Sequence, residues 1–168
     1  MTIAESNLNE GSTNTAAAPL DRVAPPAKSE SALARYLPTA ARVLLGLDFF
    51  IFGLNGFLNF IPRPATPPPA AAMAFIGGLL GTGYFFPLLK GTEVIAGAAL
   101  LANRFVPLAL AVLAPIVLNI AFFHVVVAPT GAPVAIVTLV LEIYLAWVYR
   151  AAFQPMLATR VTPHRAPG

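Results

Sequence analysis

Long apolar stretches with very few charged side chains dominate this sequence between Thr39 and Phe153. A helix in a soluble protein needs a polar face toward water, and most of these stretches offer none at helical spacing. Hydrophobic residues make up 58% of the chain and charged residues only 10%, whereas soluble domains carry about 25% charged residues. The sequence therefore predicts an all-α membrane protein for which lipid is the main solvent.

The segment before these stretches has a different composition. Residues 1–38 are rich in Ala, Ser, Thr, Asn and Pro and contain no long apolar run, so we predict a disordered cytoplasmic tail. They also lack the basic start and the apolar stretch of about 7–15 residues that mark a secretory signal. Membrane insertion is then expected to depend on the first apolar helix.

The apolar stretches divide into four predicted spans and one shorter helix. A span needs about 20 residues, and an apolar stretch of about 10–14 residues more often lies in the interface or re-enters the membrane. The prediction is a four-transmembrane-helix bundle with a short interfacial or re-entrant helix between the first and second spans. The spans are 39–61, 84–102, 105–127 and 133–153, the short helix is 70–80, the membrane domain is 39–153, and a cytoplasmic tail follows at 154–168.

Prolines and charges affect where individual spans end and how readily they insert into the membrane. The first span cannot continue past Ile61, because a proline-rich loop follows it. The second span is the least able to insert alone, since Lys90 and Glu93 lie within it and a central charge costs about 2.5–3.5 kcal/mol. The third and fourth spans are joined by a short turn containing Pro129 and Gly131, which predicts that they are adjacent and antiparallel.

Basic residues predict the orientation, because they are retained on the cytoplasmic side of a membrane. With four spans, only Arg63 lies outside the membrane on one side. The other side collects Arg22, Lys28, Arg35, Arg42, Arg104, Arg150, Arg160 and Arg165. We therefore predict a multi-pass protein of the inner (plasma) membrane with both termini in the cytoplasm.

Polar residues inside the first two spans are candidate site residues, since such groups usually face the interior of a bundle. On the first helix, Asp48, Asn55 and Asn59 share one face. On the second, Lys90 and Glu93 have the three-residue spacing at which side chains meet. This spacing fits a structural ion pair as well as a functional site, and the sequence leaves both open.

The last two spans add further candidates. Asn119 and His124 cannot share one face closely, so we expect His124 at the interface and Asn119 toward the interior. Glu142 lies near the middle of the fourth span, at a depth similar to that of Glu93. Glu93 and Glu142 are therefore the candidates for proton handling, and those for ligand binding are Asn55, Asn59, Lys90 and Asn119.

Small residues at two places in the chain predict close helix packing. Gly77 and Gly81, together with the run 96–99, have the spacing at which helix backbones approach each other.

The chain contains no cysteine, which excludes thiol nucleophiles, disulfides and cysteine-ligated metals, and we predict no metal site. The basic residues form no cluster interleaved with aromatic residues, so nucleic-acid binding is not predicted.

The pattern of these residues resembles the DoxX family of small four-helix membrane proteins over about residues 40–153. It comprises Arg42-x-x-x-Gly46, Asn55-Gly56, Gly83-Tyr84-Phe85 leading to Glu93 and Gly97, the helix with Asn119, and Glu142-x-Tyr144-Leu145-Ala146-Trp147. The resemblance implies a quinone-linked or assembly role, because similar proteins include small subunits of thiosulfate:quinone oxidoreductase. Many relatives place a lysine near the end of the first helix, where this chain has Asn55 to Asn59.

Three functions follow from the residues and the resemblance. The first is an accessory or quinone-interacting small subunit of a membrane redox complex, with quinone as a non-covalent cofactor and with electrons from a partner subunit. The second is a non-enzymatic assembly or scaffolding protein whose buried polar groups fix helix register. The third is a small transporter, which would need oligomers of this chain to form a pathway.

Overall fold

A computed structural model describes residues 32–62 and 66–160 of the chain. All regular secondary structure in these ranges is helical, which confirms the all-α prediction for the described residues. The helices are α1 (Ala32–Leu58), α2 (Ala70–Gly81), α3 (Phe85–Leu101), α4 (Val106–Phe122), α5 (Ala132–Val148) and α6 (Arg150–Phe153). A π-helical segment, Phe123–Val127, continues α4, and 3-10 turns lie at Pro129–Gly131 and Gln154–Leu157.

The first helix begins and ends earlier than the sequence predicts. Residues 1–31 of the predicted tail lie outside the described residues, as do residues 161–168, and the chain is helical from Ala32 onward. Pro38, the last residue of the predicted tail, is the seventh residue of α1, where its missing N–H leaves the Ala34 carbonyl without its usual intrahelical partner. The end of α1 at Leu58 is set by the asparagines described below.

Three helical segments are long and apolar enough to cross a membrane, namely Arg35–Leu58, Val106–Val127 and Pro129–Val148. The helices α2 and α3 together form a fourth candidate, but they meet at an angle of 93°. Many large apolar side chains on these helices face outward, including Leu88, Ile95, Leu108, Val126 and Ile143. These features indicate a membrane-embedded protein, since such a surface is suited to lipid.

Local hydrogen bonds explain the bend between α2 and α3. The Thr82 hydroxyl donates to the Leu79 carbonyl of α2 at 2.8 Å and accepts the Phe85 N–H of α3 at 3.1 Å. Gly83 has a φ of 74°, in the left-handed region that side chains rarely adopt. One hydroxyl group thus caps the end of α2 and the start of α3 while the glycine turns the chain.

Among the described helices, α1 and α3 pack against each other most extensively. A Cβ atom on Gly97 of α3 would lie 2.6 Å from the Phe50 backbone nitrogen of α1. A Cβ on Gly53 of α1 would lie 3.0 Å from the Val94 backbone nitrogen of α3. Glycines on both helices therefore let the two backbones touch.

At the other end of the α1–α3 contact, a charged side chain of α1 binds backbone carbonyls of α3. Arg42, near the start of α1, is buried, and its guanidinium donates to the carbonyls of Leu100 and Leu101 at the end of α3. The Leu100 carbonyl also accepts the Asn103 N–H at 3.1 Å, so the arginine adds a charged donor to the carbonyls that end the helix. Since Gly56 near the end of α1 lies against Lys90 near the start of α3, the two helices are antiparallel.

The four longer helices form a closed ring of contacts, in which α1 packs against α3 and α5, and α4 packs against the same two helices. The contact between α4 and α5 confirms their predicted adjacency. The largest fully buried side chains are Leu45, Leu100, Leu110, Leu113, Val117 and Leu145. In contrast, a Cβ on Gly77 or Gly81 of α2 would meet nothing, so the predicted glycine packing at α2 is wrong within the described residues.

Candidate functional site

The side chains of Lys90 and Glu93 on α3 form an ion pair, with Nζ and Oε2 2.8 Å apart. Glu93 is buried at 3% exposure, and the Lys90 side chain retains 20%. Glu93 faces α1, since a Cβ on Gly53 would lie 3.1 Å from the Glu93 Cβ. The predicted meeting of these two residues is therefore present, one turn apart on the face that packs against α1.

Gly56 of α1 provides the space for the Lys90 side chain. A Cβ at this glycine would lie 2.5 Å from the lysine Cγ and 2.7 Å from its Cδ. The Lys90 ammonium also lies 5.9 Å from the centroid of the Phe86 ring, one helical turn earlier. The lysine stem is thus enclosed by apolar surface, while its charge is directed to Glu93.

Asp48 of α1 joins this region to α5. Its Oδ2 accepts a hydrogen bond from the Thr138 hydroxyl at 2.8 Å, and it lies close enough to Lys90 and Glu93 for their charges to interact. The sequence placed Asp48 on the inward face without assigning it a role, and it gave no role to Thr138. The available signal was the position of Thr138 one helical turn before Glu142, which puts a hydroxyl on the same face.

Glu142 lies on the buried face of α5, with Ala135, Thr138 and Leu145. Its Oε2 is buried and has no hydrogen-bond partner among residues 32–62 and 66–160. A buried polar atom without a partner costs free energy, about 1–3 kcal/mol for a typical group, so it calls for a physical explanation. Glu142 is therefore a carboxyl group that the described side chains leave unsatisfied.

Carboxyl groups outnumber cationic groups among these buried polar residues. Lys90 carries the one ammonium among these residues and Glu93 engages it, whereas Asp48 and Glu142 form no ion pair within the described ranges. Arg42 is the other buried cation in the described ranges, and backbone carbonyls occupy its guanidinium. We call Asp48, Lys90, Glu93, Thr138 and Glu142 the polar core.

The predicted ligand-binding asparagines at the end of α1 have local structural roles. The Asn55 side-chain oxygen accepts the Ile61 N–H at 2.7 Å, and the Asn55 carbonyl accepts the Asn59 N–H at 2.9 Å. Asn59 is exposed and has a φ of 49°, a left-handed conformation that asparagine tolerates better than most residues. Asn59 lies just beyond the last residue of α1, so the predicted helix face shared by the two asparagines is not formed, and both residues terminate α1.

Asn119 lies away from the polar core. It is exposed and lines an open groove of about 260 Å³ with Phe75, Phe122, Phe123, Val126 and Val127. The inward face of α4 is instead formed by apolar residues such as Leu113 and Val117, so the expected interior position of Asn119 is not observed. Its proposed ligand would have to bind in this aromatic groove, which Lys90, Glu93 and Glu142 do not line.

His124 lies in the π-helical segment after α4 and packs on the turn that follows. A Cβ on Gly131 would lie 2.5 Å from the histidine Nε2, so the glycine is required for this contact. The histidine Nδ1 is buried without a hydrogen-bond partner in the described part of the chain. His124 therefore belongs to the α4–α5 turn and takes no part in the polar core.

The structure thus unites two of the predicted site residues, Lys90 and Glu93, and adds Asp48 and Thr138 beside them. Glu142 lies one turn from Thr138 on the same buried face of α5. This arrangement can accept hydrogen bonds, hold protons on carboxyl groups and donate hydrogen bonds from the ammonium hydrogens that Glu93 does not engage. Comparisons of the chain with protein-family models, with curated proteins and with solved structures found no match in any of the three.

Proposed function

We propose that this chain is an accessory, quinone-interacting small subunit of a membrane redox complex. In this proposal α1, α3, α4 and α5 are four membrane spans, α2 is the short interfacial or re-entrant helix, and both termini lie on the cytoplasmic side of the inner membrane. The DoxX-like sequence pattern and the apolar outer surface support this arrangement. The polar core is then surrounded by hydrocarbon.

The observation that carries the proposal is the excess of carboxyl groups in the polar core. A structural ion pair within α3 is enough to explain Glu93, because Lys90 neutralises it. It does not explain Glu142, whose Oε2 is buried without a partner. A buried ionisable group without a partner is costly in a membrane span, so residues of this kind usually belong to a ligand or proton pathway.

The chemistry of a quinone suits these groups. Reduction of a quinone to a hydroquinone takes two electrons and two protons, one proton for each quinone oxygen. In this proposal Glu93 and Glu142 pass two protons from water to the quinone oxygens, Lys90 donates a hydrogen bond to a quinone oxygen, and the partner subunit supplies the two electrons. The chain therefore positions the quinone and moves protons, and it does not act alone.

The test is to purify the full chain in mild detergent, extract its lipid fraction and measure quinone absorbance per mole of protein. We expect about one quinone per chain in the unmodified protein and strong depletion in Glu142→Leu. Glu142→Gln, which keeps the size and a hydrogen-bonding amide, is the matched variant and should retain quinone better than Glu142→Leu. Quinone no more abundant than in a control extract of the same membranes would contradict the proposal.

A second candidate, an assembly or scaffolding protein, is favoured by a different observation. Arg42 of α1 binds a carbonyl at the end of α3, which is a contact between helices of the kind that specifies register, and Lys90 is neutralised within α3. A scaffold would carry no quinone and would co-purify with its partner whether or not Glu142 is present. The same extraction, combined with identification of co-purified proteins, separates the two functions.

A further inference from the structure

A groove between α1 and α5 has a polar floor and apolar walls. It has a volume of about 360 Å³, and its walls include Leu44 of α1 with Val134, Val137 and Leu141 of α5. Asp48 and Thr138 are its two polar side chains. Since Leu44 is 57% exposed and Val137 is 58% exposed, the groove opens onto the apolar outer surface.

The polar floor of this groove has more hydrogen-bond acceptors than donors. The Thr138 hydroxyl has one proton, which lies within reach of Asp48 Oδ2 at 2.8 Å and of the Val134 carbonyl at 3.1 Å. In the described ranges, no other group donates to the Asp48 carboxyl. A molecule that enters from the lipid therefore matches the groove when it is largely apolar and carries its own O–H donor.

We propose that this groove is a lateral binding site for a lipid-soluble molecule bearing a hydroxyl group, which donates a hydrogen bond to Asp48. Both a hydroquinone and a lipid alcohol such as diacylglycerol have this chemistry. The inference needs no electron transfer and no partner subunit, so it stands or fails separately from the redox role. Because the charge of Asp48 interacts with those of Lys90 and Glu93, a ligand bound here would be coupled to the rest of the polar core.

The test is photo-crosslinking of the full chain in lipid nanodiscs. The probe is an alkylphenol that carries a diazirine, and its control is the methyl ether of the same molecule, which has no O–H donor. Labelled positions are mapped by mass spectrometry. We expect the phenol to label the α1 and α5 walls of the groove about tenfold more than the ether does, as the loss of a hydrogen bond to a charged group predicts.

Variants separate the hydrogen bond from the shape of the groove. Asp48→Leu should lower phenol labelling to the level of the ether. Val137→Phe fills the groove from its exposed side and should also abolish labelling, without requiring a buried substitution. The matched control is Val140→Phe, because Val140 is equally exposed at 58% on the same helix but does not line the groove.

Competition identifies the source of the hydroxyl group. Displacement of the phenol by tetramethylhydroquinone or by diacylglycerol supports the site and assigns it to a quinol or to a lipid. Equal labelling by phenol and ether, labelling that persists in Val137→Phe, or competition by neither molecule would overturn the inference. It would also be overturned if crosslinks showed a helix of a second copy in the groove.

Discussion

Lys90 and Glu93 show how a charged pair can remain in an apolar helix. The pair satisfies both charges on one face of α3, and Gly56 opposite leaves room for the lysine stem. Removing one member of a buried pair strands the other charge, whereas replacing both members with apolar residues is often neutral or stabilising. Single and double substitutions at these positions therefore have different expected outcomes.

We expect Glu93→Gln to lower the free energy of unfolding by about 3 kcal/mol, because Lys90 loses its counter-charge. The double variant Lys90→Leu with Glu93→Leu should recover most of this loss. Denaturation of the purified protein in detergent, followed by circular dichroism, measures both effects. A double variant as unstable as Glu93→Gln would show that the charged pair itself is required for folding.

The same two variants also test function. In the proposed redox role, the double leucine variant regains stability but not quinone content, because no ammonium or carboxyl group remains on α3. In the scaffold role it regains stability together with partner binding. A stable double variant that still holds one quinone per chain would remove Lys90 and Glu93 from the ligand site.

At the scale of helices, the asparagines at the end of α1 illustrate a role that spacing does not reveal. Asn55 and Asn59 are four residues apart, and this spacing is equally expected for two ligand-binding residues and for two residues that terminate a helix. The left-handed φ of Asn59 distinguishes these roles, and φ is known only once the chain path is known. The sequence assigns both asparagines to ligand binding on an inward face, whereas Asn59 is exposed beyond the end of α1.

Substitution of Asn59 tests the termination role. Asn59→Gly should leave stability almost unchanged, since glycine adopts a left-handed conformation without strain, while Asn59→Ala should cost about 1 kcal/mol. Thermal unfolding in detergent compares the two variants. If instead both variants lost bound quinone at unchanged stability, Asn59 would be a ligand residue as the sequence analysis predicted.

The close contact between α1 and α3 depends on Gly97, and substitutions of two glycines on α3 can test this dependence. Gly97→Val should destabilise the protein by about 2 kcal/mol or more, because a Cβ there would lie 2.6 Å from the Phe50 nitrogen and 2.9 Å from the Gly46 oxygen. Gly91→Val is the matched control, since a Cβ at Gly91 meets nothing within 4 Å. Similar losses for both would indicate that helix propensity matters here and backbone contact does not.

For the whole molecule, the apolar stretches and the prolines predict where helices lie because both act locally along the chain. The partners of these helices depend on contacts between distant segments. The pairing of α1 with α3, and the bond from Thr138 to Asp48 across 90 positions, therefore could not be read from spacing. The Lys90–Glu93 pair was predictable because both residues lie on one helix.

Orientation is also a property of the whole chain. Reporter fusions at Thr66 and Thr130 should read as outside, and a fusion at Gly168 should read as inside, because basic residues are retained in the cytoplasm. Alkaline phosphatase and fluorescent-protein fusions give opposite signals on the two sides and so check each other. An outside signal at Gly168 would contradict the four-span arrangement.

The glycine contact between α1 and α3 also bears on the order in which the chain is made. A ribosome releases α1 well before α3, so in the proposed four-span arrangement α1 is already in the membrane when the charges of α3 emerge. Contact with Gly46, Phe50 and Gly53 then gives α3 a protein surface at the moment of insertion, which an isolated helix would lack. We therefore expect that α1 is inserted first during biogenesis and that α3 packs against it as α3 enters the membrane.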